Sequence, residues 1–430
     1  MNKVSFDQLQ ETLYYEELPN GLQVYLLPKP GFNKTYATFT TKYGSIDNHF
    51  IPLNEKEPLR VPDGIAHFLE HKLFEDEDGD VFQLFSKQGA SANAFTSFTR
   101  TAYLFSSTMN IEENLKTLLD FVQKPYFTEE SVEKEKGIIE QEIKMYEDNP
   151  DWRNYFGLIG SMYKNHPVKI DIAGTVDSIY KTTKELLYTC YETFYHPSNM
   201  VFFVVGNLDP ESTFKLIREN QAGKEFEKPQ HVERYFEKEP EEVDQKLVTI
   251  PMNVNTGKCL VGFKDRKPEK QGKDLLKHEL SIQLLLEMMF GQSGENYQKL
   301  HDEGLIDDSF SFDYSGEHGF GFSVVGGDTD RPEELGKRIK TMVGEFIQKP
   351  LNKDEMEGIR KKKIGYFLRA LNSPEYIANQ FTRYRFNDMD LFEVIPVLES
   401  ITVDDLSKAM QEHFLTETQM SECHITPKGK

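Results

Sequence analysis

The sequence predicts an α+β protein made of two related halves. Three observations carry this. The chain has 430 residues, more than one hydrophobic core usually serves and enough for two domains of about 200 residues each. Period-2 strand patterns are interspersed with period-3.6 helical patterns along both halves. Pro150 and Pro374 lie 224 residues apart, each late in a long helical run that follows a hairpin and a shorter helix. A shared order at that spacing is the mark of duplication.

The first half opens with strands over 21–27 and 35–41, the second rich in β-branched and aromatic residues. A helix follows near 64–74, then an acidic turn, Glu75 to Asp80, which reads as a solvated loop capping the next helix and lacks calcium-loop spacing. Strands are expected over 90–96 and 99–107, a helix over 111–123, and a long helix over about 129–147 that breaks near Asn149-Pro150. More helix is expected over 152–163 and 176–195. The apolar run Met200 to Val205 reads as a buried strand closing the half.

Residues 222–246 mix Gly223, Pro229 and Pro240 with dense Lys and Glu, and read as an exposed linker. The expected domains are therefore 1–221 and 247–430. The second half offers a strand over 259–263, a helix over 275–290, a hairpin over 309–325, and helices over 332–347 and 353–371. In this register Tyr366 stands opposite Glu142.

Composition narrows the function. At 38% hydrophobic and 28% charged residues the chain is globular. A net charge of −21 argues against nucleic acid or an anionic membrane as partner. Cys190, Cys259 and Cys423 are scattered without CxxC spacing, which suggests reduced thiols instead of a disulfide framework. Residues 1–17 carry no apolar signal-like core, and no run reaches the roughly 18 apolar residues of a membrane helix. A cytoplasmic location is the expectation.

The most informative stretch is His67-Phe68-Leu69-Glu70-His71. On a helix, positions i and i+4 share a face and i+3 lies beside them. Two imidazoles can then hold one metal ion while Glu70 reaches a water on it. This H-x-x-E-H order is the zinc-hydrolase motif reversed. The helix phase puts Glu70 and Phe74 with the histidines, and Ile65, Phe68, Leu69 and Leu73 largely opposite. The plainer alternative is a pair of satisfied core or surface histidines.

A catalytic zinc needs a third protein ligand and an open position. The carboxylates of the helix at 132–147 are the candidates. Glu135 and Glu142, seven apart, fall within about 20° of each other, in the sector of Ile138, Ile139, Ile143, Met145 and Tyr146. Glu133, Glu140 and Glu147 point away with Lys134 and Lys144, as a solvated face would. Carboxylates within an apolar sector require a cation or a buried ion pair, and the phase alone leaves both open.

These segments together resemble the pitrilysin/insulinase family of zinc peptidases, especially its small bacterial members related to mitochondrial processing peptidase. The first match is His67-Phe68-Leu69-Glu70-His71; the second is Glu135-Lys-Gly-Ile-Ile-Glu-Gln-Glu142; both halves of the chain are covered, the second diffusely. The resemblance implies two α/β-sandwich halves, each a largely antiparallel sheet packed by helices, together forming half of a clamshell, with residues 1–221 as the metallopeptidase domain. It implies one Zn2+ per chain held by His67, His71 and Glu142, with Glu70 as general base and Glu135 as a carboxylate behind a ligating imidazole. Asn93-Ala94-Phe95-Thr96 resembles the strand that holds substrate backbone in this family, with Asn93, Ala94 and Phe95 as the substrate-binding residues, although Asn93 also suits a turn.

One part of the family pattern is missing. Where members carry an Arg followed seven residues later by a Tyr, this chain has His301 and Asp308. The loss of those donors implies a second, related subunit that supplies them in a heterodimer, with a homodimer as the other arrangement. Otherwise the chain works weakly alone, with His301 as a partial substitute. The expected function is zinc-dependent hydrolysis of small or unfolded peptides. The alternatives are a non-catalytic peptide-binding or structural subunit, and a metal hydrolase of some other bond.

Overall fold

In the computed structural model, residues 1–430 are described except Asp78, Gln230, Lys267 and Lys430. Asp78 belongs to the expected acidic turn and Gln230 to the expected linker, so those two positions lie outside the described residues. The chain forms two compact units, neither a continuous stretch of sequence. One unit comprises Met1–Ile143, Asp171–Phe236 and Ala370–Phe386; the other comprises Lys144–Ile170, Glu237–Arg369 and Asn387–Lys430.

The first unit holds a seven-stranded sheet in the order Asn2–Phe6, Glu11–Glu17, Gln23–Pro28, Met200–Gly206, Thr35–Thr41, Thr101–Ser107, Ala90–Thr96. Every pairing is antiparallel except Met200–Gly206 with Gln23–Pro28. The second unit holds five strands in the order Leu247–Met252, Met420–Pro427, Lys258–Lys264, Phe320–Asp328, Ser311–Glu317. Here too a single pair is parallel, Leu247–Met252 with Met420–Pro427. The last five strands of the first sheet and all five of the second therefore share one order and one set of directions. The expected α+β repeat is present in the strand topology.

The units also exchange helices. Helix Pro150–Met162 packs on strands Lys258–Lys264 and Met420–Pro427 of the second unit. Helix Pro374–Phe386 packs on strands Met200–Gly206 and Thr35–Thr41 of the first. The two prolines open these helices, where a missing N–H costs nothing. Asn149 caps the first of them, accepting from the Asp151 and Trp152 backbones.

The motif segment is helix Ile65–Lys72. It packs on strands Ala90–Thr96 and Thr101–Ser107 and on helix Lys184–Phe194. Its start is fixed by two glycines in the left-handed region, Gly64 at φ 85° and Gly174 at φ 75°. A Cβ on Gly64 would stand 2.3 Å from the Ala173 carbonyl, and one on Gly174 would stand 2.4 Å from that of Asp63. Only glycine admits both the backbone angle and the approach. The expected division into an anchoring face and a presenting face is too simple. Every residue from Ile65 to Glu70 is buried, and so is Lys72, because sheet and helices enclose the segment. Lys72 is held by Glu75 and the Ser131 carbonyl. The helix expected over 176–195 is divided in two, Val176–Ile179 and Lys184–Phe194, by the cap at Thr183.

Among the described residues no helix is long and apolar enough to cross a membrane. Cys190, Cys259 and Cys423 are all free and buried.

Candidate metal centre

The long helix Glu129–Asp148 supplies the second half of the site. Glu135, Ile139 and Ile143 are buried along it, whereas Ile138 and Met145 are 47% and 59% exposed. Placing those two in the buried sector was therefore wrong. They lie on one flank of it, roughly 60–80° from Glu135 in helical phase, and face away from the packed side. Glu133 and Glu147 are exposed. Glu133 pairs with Lys136, and Glu140 accepts from the Tyr180 hydroxyl at 2.6 Å.

Glu142 faces both histidines of the motif helix. Its carboxylate lies 3.7 Å from His67 Nε2 and 3.6 Å from His71 Nε2. One ligand atom from each of the three residues lies within 4.8 Å of the other two. The imidazole centroids are 4.5 Å apart with planes at 61°. Tetrahedral zinc with bonds of about 2.0–2.1 Å sets its ligand atoms about 3.3 Å apart. Both Glu142–histidine separations come within a few tenths of an ångström of that value, one at each carboxylate oxygen. Two nitrogens and one carboxylate oxygen are also the donor types zinc accepts, so the residues present fit the ion.

Glu135 stands behind this arrangement. Its Oε1 lies 3.0 Å from His71 Nδ1. A carboxylate only accepts, so Nδ1 donates and the lone pair of His71 is left on Nε2, toward Glu142. His67 Nδ1 is buried without a hydrogen-bond partner.

The electrostatics follow from burial. Desolvation pushes His67 down to about 3, assisted by the nearby His71, which keeps this imidazole neutral. Burial also works against a charged His71, but the Glu135 bond and the surrounding carboxylates outweigh it and raise its pKa. Burial raises Glu70 above the usual carboxylate range, partly opposed by a hydrogen bond from Thr96. Thr96 Oγ1 donates to Glu70 Oε2 at 2.7 Å. The sequence reading includes Thr96 in the substrate strand but assigns it no contact with Glu70. Strand parity offers a signal, since Thr96 is two residues from Ala94 and shares its face.

Asn93, Ala94 and Phe95 lie on Ala90–Thr96, the edge strand of the seven-stranded sheet. Asn93 is exposed, while Ala94 and Phe95 are half-buried. The Ala94 amide donates to Asn93 Oδ1 at 2.9 Å, and Arg100 lies over the Phe95 ring. His301 and Asp308 are both exposed and belong to the second unit. His301 stacks on Tyr297, with centroids 6.4 Å apart. Tyr366 is 53% exposed, with Lys362 and Arg369 against its ring.

Two sheets of one topology, with the inverted motif in the first, define a class that the comparisons identify. The chain belongs to the insulinase family, peptidase family M16. The family model described as Insulinase (Peptidase family M16) matches residues 59–176, and that described as Peptidase M16 inactive domain matches residues 181–363. The chain is 61% identical to the uncharacterized zinc protease YmfH of Bacillus subtilis, over 99% of both chains. Among solved structures it is similar to an M16-like protein from Alicyclobacillus acidocaldarius, with 40% identity, a TM-score of 0.94, and coverage of 97% of this chain and 99% of that one. The periplasmic protease PqqL of Escherichia coli shares the fold at 16% identity and a TM-score of 0.71. There the match covers 96% of this chain and 47% of the other, so this chain corresponds to half of that protein.

Proposed function

We propose that this chain is a zinc-dependent endopeptidase acting on small or unfolded peptides. The observation that carries the proposal is the approach of Glu142 to both His67 and His71, with Glu70 beside them on the same helix. In this reading His67, His71 and Glu142 hold one zinc ion, and Glu135 fixes the His71 tautomer. Bound there, zinc supplies Lewis acidity, polarising a carbonyl and acidifying water.

The remaining work falls to the protein's own side chains. Glu70 takes a proton from the attacking water and returns it to the leaving amine. Its raised pKa suits a group that must both accept and release that proton. Thr96 holds one carboxylate oxygen and leaves the other to the water. An extended substrate adds to the open edge of strand Ala90–Thr96 by backbone pairing, displacing the Asn93 side chain from the Ala94 amide.

With His301 and Asp308 where family members carry Arg and Tyr, oxyanion donors come from a second, related subunit. The half-length match to PqqL supports pairing. The three free cysteines support work in the cytoplasm. The test is zinc content and peptidase activity of the wild type and Glu70→Gln, with and without a related partner. The variant should keep its zinc and lose turnover. Retained turnover rejects Glu70 as the base, and a wild type inactive with every partner favours a non-catalytic subunit.

A further inference from the structure

A second group of ligand-type side chains converges in the second unit. Asp265 follows strand Lys258–Lys264, His278 lies on helix Gly272–Phe290, and His413 ends helix Val403–His413. All three are buried, and one ligand atom from each lies within 4.8 Å of the other two. We propose that Asp265, His278 and His413 form a second divalent-metal site of the zinc type, independent of the first and beyond the single ion expected from the family resemblance.

The fold itself does not require charge at this place. In the first unit the corresponding position just past strand Thr35–Thr41 is Tyr43. It stacks on Phe194 at the end of helix Lys184–Phe194, with centroids 4.0 Å apart and planes at 15°. Aromatic packing fills the layer between sheet and helix there. The second unit sets a carboxylate and two imidazoles in the same layer. Burying an ionisable cluster costs free energy that a well-packed apolar cluster avoids, and a bound cation offsets that cost.

The His278 distances suit an ion. His278 Nε2 lies 3.2 and 3.3 Å from the two Asp265 oxygens, close to the separation of about 3.3 Å that tetrahedral zinc imposes. His413 Nδ1 lies 2.5 Å from Asp265 Oδ1, close enough for a shared proton. Metal binding at Nδ1 moves that proton to Nε2, where Ser323 Oγ, 2.8 Å away, accepts it. Tyr314 donates to Asp265 Oδ2 at 2.5 Å. His413 and Asp265 thus each already have the outer partner that orients a metal ligand.

Space adjoins two of the three side chains. A cavity of about 70 Å³ is lined by Asp265, Arg266, Lys270, His278, Gln411 and Glu412, space enough for a water in the fourth position. Its two cations are paired, Arg266 with Glu241 at 2.5 Å and Lys270 with Glu412 of the same lining at 3.8 Å. Ser323, His413 and Asp265 also stand in the order of nucleophile, base and orienting acid. Ser323 is wholly buried, however, so an acyl substrate does not reach it, and the metal reading is the one the site supports.

The test is zinc titration of the chelator-stripped full chain, with metal counted after gel filtration and folding checked by circular dichroism. The wild type should bind two ions, and His67→Ala/His71→Ala one. Adding His278→Gln and His413→Gln to that double variant should abolish binding. A folded His67→Ala/His71→Ala chain that binds no zinc overturns the proposal, even if the histidine variants of the second unit fail to fold. So does one ion that survives all four substitutions.

Discussion

Thr96 donates its hydroxyl to Glu70 Oε2 across 2.7 Å, from the edge strand of the sheet to the motif helix packed on it. The bond ties the proposed base to the proposed substrate strand. It also opposes the burial that raises the Glu70 pKa. Thr96→Val removes it with little change in shape. A hydrogen bond to a charged group is worth about 1.5–3 kcal/mol, so kcat should fall roughly ten- to hundredfold. KM should change little. Glu70 acts as the ionised base, and its pKa rises further without Thr96, so the acid limb of the kcat/KM profile should move to higher pH. Thr96→Ser should restore both. A loss confined to KM with an unmoved acid limb contradicts the role.

Glu135 touches His71 and not the point where the ligands meet. Its removal should therefore act on affinity. Glu135→Ala should weaken zinc binding about 10- to 100-fold, measured by competition with a chromophoric chelator. Glu135→Gln should fall between, because its amide oxygen still accepts from Nδ1.

His166 gives a pH test at a residue outside both proposed ligand sets. It is buried, and burial pushes it down to about 4, Lys264 adding to the shift and Glu239 opposing it. Its Nδ1 accepts from the Val168 amide at 3.1 Å, which a protonated ring cannot do. The folded pKa lies below the unfolded value of about 6.5, so the unfolded chain binds the extra proton. Stability is lost as pH falls from about 6.5 to about 4 and is level in this group below that. The full loss is about 3 kcal/mol. His166→Asn keeps an acceptor for the cap without the titration. Denaturant unfolding should show the variant losing less stability than the wild type between pH 7 and pH 4.5, and equal losses contradict the assignment.

Much of the fold was legible because its elements carry strong periodicity. Strands Thr35–Thr41 and Ala90–Thr96 fall where β-branched and alternating patterns put them, and helix Pro332–Ile347 matches its amphipathic run. The opening strands Asn2–Phe6 and Glu11–Glu17 were missed. Asn2–Phe6 is polar and largely exposed at the sheet edge, where no buried face imposes alternation, and Glu11–Glu17 beside it is mostly half-buried. Exchange of helices Pro150–Met162 and Pro374–Phe386 was also illegible. Apolar periodicity shows that a helix packs and not on which sheet. At the site, helical phase brought Glu135 and Glu142 to the histidine side. It could not separate the flank occupied by Ile138 and Met145 from the buried sector, because only neighbouring elements decide where an apolar stripe ends. Asp265, His278 and His413 come from three distant segments with no common spacing, so no motif marks them.

The proposed function depends on Glu142 joining His67 and His71 at one zinc ion, while Glu147, five residues on, stays in solvent. The most direct measurement is the zinc stoichiometry of Glu142→Gln beside that of Glu147→Gln, each against the wild type under the same dialysis. Glu142→Gln should lose one equivalent and Glu147→Gln none. Full zinc retention in Glu142→Gln, or a loss in Glu147→Gln instead, contradicts the metal centre proposed for this chain.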